Sequence, residues 1–322
     1  RRACQGSFFP RIDPRGTATT GIANDYLTAY AYDGLGRQIS VTSYDAAGSA
    51  VGGGGTRQPH TTYYDGAHQV QVTLANGLTR ITTYDARGLT VSQVEQNGAT
   101  VLSSTGYQYD ADGQLRIATD ANGNKTYFVY DSLGRKTGEL DAAGSLTETI
   151  YNKNGQVLRT IRYSTAVSAN LATLFAVSNG AVADVAIASV RPTATDGDIL
   201  SRNVYDAAGL LRFSVDDSGA VTDYRYDGAG RLLTTIQYAN LLSATQLTNL
   251  GNLDTAGTEI LANNANLLPI ADSANDRATP NFYDNDGLLR GRLDGEGYLT
   301  EYRYDSAGRL TQTLRYANQA AG

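Results

Sequence analysis

Polar and apolar positions along this chain alternate with a period of two. In Thr222-Asp223-Tyr224-Arg225-Tyr226 and Thr300-Glu301-Tyr302-Arg303-Tyr304, Thr and Tyr fall on one face of an extended chain and charges on the other. The period alone does not say which face is inside. Such segments recur between glycine-marked turns, which predicts an all-β chain built as an array of antiparallel hairpins. Two stretches, at about 164–199 and 239–277, break the rhythm and read as short helical insertions. Leu171, Leu174 and Phe175 would share a helix face, and Ser243-Ala244-Thr245-Gln246 has the form of a capping box ahead of Leu247 and Leu250. The insertions are expected to cap or line the sheet, because a bare strand edge invites aggregation.

The turns carry a motif. Tyr-Asp stands at Tyr32, Tyr44, Tyr64, Tyr84, Tyr109, Tyr130, Tyr205, Tyr226, Tyr283 and Tyr304, with Tyr151-Asn152 as a near miss. Four residues after the tyrosine comes glycine, except at His68, so the repeat reads Tyr32-Asp33-x-x-Gly36, Tyr130-Asp131-x-x-Gly134, Tyr226-Asp227-x-x-Gly230 and Tyr304-Asp305-x-x-Gly308. Steps of 20 or 21 residues dominate, and a second Asp-x-x-Gly follows in most units, as at Asp141–Gly144, Asp216–Gly219 and Asp294–Gly297. Asp can accept hydrogen bonds from backbone just ahead of it, while Gly supplies the positive φ that closes a short hairpin. A longer period is superposed: Tyr163, Tyr238 and Tyr316 open similar segments 75 and then 78 residues apart. The simplest account is a super-repeat of two hairpin units plus one insertion.

The Tyr-Asp-x-x-Gly-Arg hexad at a period near 21 resembles the RHS/YD-repeat family, whose members include bacterial Rhs toxins, the B/C component of insecticidal Tc toxins and the vertebrate teneurins. The resemblance implies a curved or spiralling strip of hairpins forming part of a hollow shell, which in the bacterial toxins encloses a C-terminal toxic segment. It also implies a secreted or cell-surface location. The self-cleavage site of toxin-bearing members matches nothing after Tyr304, so that activity is not carried over.

Composition sharpens this picture. The repeat continues from near Asp13 without a compositional break, so residues 1–322 are expected to form a single array. With 35 Gly and 6 Pro, the chain suits glycine-closed hairpins. A formal net charge of −6 argues against a nucleic-acid surface, which needs basic patches. The lone Cys4 excludes an internal disulfide. No long apolar run suggests a membrane span, and no signal peptide is seen. The absence of Met suggests an internal or processed fragment of something longer.

Candidate chemistry is sparse. His60 and His68 fit no zinc spacing, and Cys4 has no histidine nearby in sequence. The acidic stretches Asp110-Ala111-Asp112-Gly113 and Asp120-Ala121-Asn122-Gly123-Asn124 lack the closing Glu of a calcium loop. The tetraglycine Gly52–Gly55 is not followed by Lys-Ser/Thr. No catalytic, cofactor or metal residues are therefore expected. The expected partners are other repeats of the same polypeptide and an enclosed toxin segment, with a glycan- or protein-binding adhesion module as the alternative function.

Overall fold

The computed structural model describes residues 27–44, 60–74, 76–255 and 268–320. Cys4, the Asp13–Gly16 turn, the turn after Tyr44 and the Gly52–Gly55 loop lie outside the described residues. The chain forms two compact units, one of residues 1–128 with 170–185 and one of residues 129–169 with 186–322.

In each unit the alternating segments are strands, and each strand pairs antiparallel with the next in sequence. In the first unit the meander runs Leu27–Tyr32, Gln38–Tyr44, His60–Tyr64, Gln69–Thr73, Thr79–Tyr84, Thr90–Asn97, Thr100–Tyr109 and Leu115–Thr119. In the second it runs from Lys136–Leu140 through Leu146–Tyr151, Val157–Arg162, Ile199–Tyr205, Leu211–Val215, Val221–Tyr226 and Leu232–Gln237 to Arg277–Tyr283, Leu289–Leu293, Tyr298–Tyr304 and Leu310–Gln319. The insertions leave this ladder undisturbed. Arg162 pairs with Ile199, and Gln237 with Arg277, as though the residues between were an ordinary hairpin loop.

Both insertions contain a helix, at Leu171–Leu174 and Ala244–Thr255. The second starts as its sequence predicts, with Ser243 Oγ accepting from Gln246 N at 3.3 Å and Gln246 Oε1 accepting from Ser243 N at 2.9 Å. The first is less helical than expected. After one turn it becomes a small hairpin of Val177–Ser178 on Ala181–Val182, and then a 3₁₀ turn at Ile187–Ser189. The cause is Asn179-Gly180, both at positive φ (53° and 78°), the pair that builds a tight two-residue hairpin turn.

The core of the second unit lies where the insertions meet the sheet. Val204, Phe213, Val215 and Val221 are buried with Leu242 and Leu250 of the second insertion. In the first insertion Ile187 sits over Gly138, where an added Cβ would come within 2.7 Å of the Ile187 Cδ1. The charge-bearing side of the alternation is the covered side, since Glu148 and Asp223 are 2% and 1% exposed and lie beside Leu146 and Val221. Antiparallel sheets with one packed face show this pattern. The Thr and Tyr positions on the opposite face are half-buried.

Candidate functional site

The motif residues converge at the turns, where each has a distinct task. The aspartate Oδ1 accepts from the backbone N–H groups two and four residues ahead: Leu35 and Arg37 for Asp33, Leu133 and Arg135 for Asp131, Ala229 and Arg231 for Asp227, Ala307 and Arg309 for Asp305, all at 2.9–3.0 Å. Its Oδ2 accepts from the arginine Nε at 2.6–2.8 Å. The glycine closes the turn at positive φ, 77° at Gly36, 76° at Gly134, 78° at Gly230 and 74° at Gly308, and each donates its N–H to the aspartate carbonyl. A bulge follows, so that Arg225 pairs with Thr234 but Tyr226 with Leu232. These bonds hold the carboxylates in charged form. At Asp227 the Arg231 backbone N–H is the main cause of a pKa below the ordinary value, and at Asp131 burial opposes the lowering without cancelling it.

Tyrosine and arginine connect one unit to the next. Tyr109, Tyr151, Tyr205 and Tyr283 donate their hydroxyls to the carbonyls of Thr90, Lys136, Val157 and Leu232 at 2.7–3.0 Å. Each acceptor lies six residues after the tyrosine that opens the preceding unit. The preceding arginine covers the incoming ring, with the Arg135 guanidinium 4.8 Å from the Tyr151 centroid and Arg231 4.9 Å from Tyr283. Arg135 also donates to the carbonyl of Asn152 at 2.9 Å. Tyr-Asp-x-x-Gly-Arg thus builds its own hairpin and receives the next.

His68, where other units have glycine, takes the glycine conformation at φ 50°. His60 is exposed and lies 3.3 Å from Thr62 Oγ1. Asp110 is occupied by Gln114 N and by buried Arg116, which also meets Asp184, while Asp120 holds Asn122 and Asn124. Among the described residues no three His, Cys, Asp or Glu side chains cluster as metal ligands, and no helix is long and apolar enough to cross a membrane. A pocket of about 340 Å³ in the first unit is lined by Asp85, Arg87, Tyr107 and Gln108 among others, but Arg87 is committed to Asp85 and to the carbonyls of Asp110 and Ala111.

One arrangement was not foreseen from the sequence. Fifteen residues before Tyr163, Tyr238 and Tyr316 stand Glu148, Asp223 and Glu301, and each hydroxyl reaches its carboxylate, at 2.8, 3.5 and 2.5 Å. Arg191 of the first insertion donates to Glu148, Arg225 to Asp223 and Arg303 to Glu301. Burial and the Glu148 carboxylate push the Tyr163 hydroxyl up, while Arg303 and then Tyr316 bring Glu301 down to about 2. The 75- and 78-residue periods of the tyrosines were the available signal, because the acids share them.

The family model of the RHS repeat matches residues 84–125, 109–146, 205–240 and 283–321. The chain contains four RHS repeats. Three of the matched stretches open on a motif tyrosine followed by the turn described above, and the fourth, 109–146, does so within the overlap. No curated protein matches the sequence. Among solved structures, the chain is similar to one described as the crystal structure of TcdB2-TccC3-TEV, at 16% identity and a TM-score of 0.48, covering 92% of this chain and 15% of the other. It is also similar to a Photorhabdus luminescens Tc holotoxin pore carrying a TccC3 mutation, at 19% identity and a TM-score of 0.47, covering 92% of this chain and 14% of the other. The chain therefore spans about one seventh of those it is similar to.

Proposed function

We propose that this chain is a non-catalytic wall section of an RHS-repeat shell that encloses or presents another part, such as a C-terminal toxin, of a larger secreted bacterial protein. The observation that carries the reading is the unit-to-unit linkage. The conspicuous polar groups of the motif, the turn Asp, the Arg and the Tyr hydroxyl, are spent on backbone of the same or the neighbouring hairpin. Such an arrangement propagates a sheet, and among the described motif residues it leaves no convergent set of nucleophile, base and orienting group of the kind catalysis requires. Each unit needs only its neighbours, as in other repeat arrays. Small-angle scattering on the monomeric chain tests the reading. A compact globule of this length has a radius of gyration near 20 Å by 2.2·N^0.38, and a strip walling off volume must exceed it. A value at or below about 20 Å overturns the proposal. Alanine at His60, His68 or Cys4 is expected to leave every activity of the parent protein unchanged. Reproducible binding of the isolated chain on a glycan array would favour the adhesion alternative instead.

A further inference from the structure

The acid–tyrosine pair recurs with the same apolar surroundings each time. At positions 19, 8 and 2 before the acid stand Val129, Leu140 and Leu146 for Glu148, Val204, Val215 and Val221 for Asp223, and Phe282, Leu293 and Leu299 for Glu301. In the first two copies all six side chains are 0–2% exposed. In the third, Phe282 is 48% exposed and Leu293 and Leu299 are only half-buried.

One backbone hook is common to all three copies, although the strand ends just before Tyr163 and Tyr238 in the first two and runs on past Tyr316 to Gln319 in the third. Four residues after the tyrosine, the N–H groups of Val167, Leu242 and Ala320 donate to the carbonyls of Gly144, Gly219 and Gly297 at 2.9, 2.9 and 2.8 Å. After that hook the first two copies are covered by an insertion, and the third face is open among the described residues.

What a cover must supply differs between the copies. At Glu148 the compensating cation, Arg191, comes from the insertion itself. At Asp223 it comes from the sheet, from Arg225 on the same strand and Arg212 on the neighbouring one, and the insertion contributes apolar surface through Leu242, Leu247 and Leu250. Glu301 has its own cation in Arg303, also two residues ahead, and Tyr316-Ala317-Asn318 repeats Tyr238-Ala239-Asn240. A bound segment would thus meet a carboxylate already neutralised, beside three apolar side chains. That is the chemistry of the second seat.

We propose that the sheet face around Phe282, Leu293 and Leu299 is a docking seat for a helical segment carrying leucines at the spacing of Leu242, Leu247 and Leu250. The inference rests on the two covered copies and holds whether or not the array encloses anything.

The test is a graft onto the full chain, in which residues 320–322 are replaced by leucine followed by a copy of residues 243–255. Amide hydrogen exchange over residues 298–304, read by mass spectrometry on the monomer, is expected to slow about tenfold or more relative to the ungrafted chain. Serine in place of the two leucines copied from positions 247 and 250 should restore the original rate, and so should Phe282→Asp in the seat, with circular dichroism unchanged. No slowing with the leucine graft, or equal slowing with the serine graft, overturns the proposal. Sedimentation of the ungrafted chain supplies the remaining outcome. A dimer that Phe282→Asp converts to monomer would make a second copy the occupant and overturn the helical assignment.

Discussion

The hairpins at Ile199–Gln237 and Arg277–Gln319 use one motif and one turn geometry, yet the first pair is a packed structure and the second an open one. Gly230 and Gly308 differ by 4° in φ, and the bonds of Asp227 and Asp305 agree within about 0.2 Å. Val204 is fully buried, whereas its counterpart Phe282 is 48% exposed. The motif therefore fixes hairpin geometry and linkage but buries little. Burial comes from the insertion laid across the sheet, and apolar burial is the dominant favourable contribution to folding.

The contrast is broken most strongly in the cover. Leu250→Ala should destabilise the second unit by about 2–5 kcal/mol, the usual cost of a cavity in a packed core, while Leu310→Ala should stay within about 0.5 kcal/mol. Urea denaturation followed by circular dichroism reads both, and equal losses would mean that the insertion does not supply the core. Turn strain should ignore the cover. Gly230→Val and Gly308→Val should each cost about 1–3 kcal/mol, because both glycines hold a left-handed φ that a β-branched residue resists. Gly228→Ala, at an ordinary φ and with nothing within 4 Å of the added Cβ, is the neutral control.

Smaller effects sharpen the linkage. Tyr283→Phe removes the hydroxyl that donates to the Leu232 carbonyl and should cost about 0.5–1.5 kcal/mol. Exchange of amides in both Leu232–Gln237 and Arg277–Tyr283 should rise together, since the bond joins two units. The least effect per residue comes from the half-buried turn aspartates. Asp227 and Asp305 both titrate below their ordinary value of 3.8 when folded. Their stabilisation is complete above that value and is lost as pH falls through it toward the lower folded pKa. Acid titration by circular dichroism should show stability declining below about pH 4, and Asp227→Asn should flatten that decline in proportion.

Local chemistry made the hairpins legible in sequence. Tyr-Asp-x-x-Gly states its own turn, and Ser243 with Gln246 states its own cap, because the partners lie within four residues. The Asn179-Gly180 hairpin was equally local, but the apolar spacing of Leu171, Leu174 and Phe175 pointed to helix throughout the insertion. Less accessible was which face of the alternation is covered. The period put Asp223 on the charge-bearing face without saying whether that face is inside, and the burial of Glu148 and Asp223 depends on partners 15 and 43 residues away, Tyr163, Tyr238 and Arg191. Burial of a carboxylate is tolerable only with such partners, and those are set by tertiary placement.

Because Arg162 pairs with Ile199 and Gln237 with Arg277, each insertion occupies a port in the sheet through which chain can be spliced without shifting a single register. Loop-closure entropy rises by only about 0.6 kcal/mol for each doubling of length, so such a port tolerates a long guest as readily as a short one. An array with ports of this kind can acquire, exchange or enlarge a module at a hairpin tip while the ladder beneath stays in phase, provided that the new guest still brings a leucine or isoleucine down to cover the sheet valines.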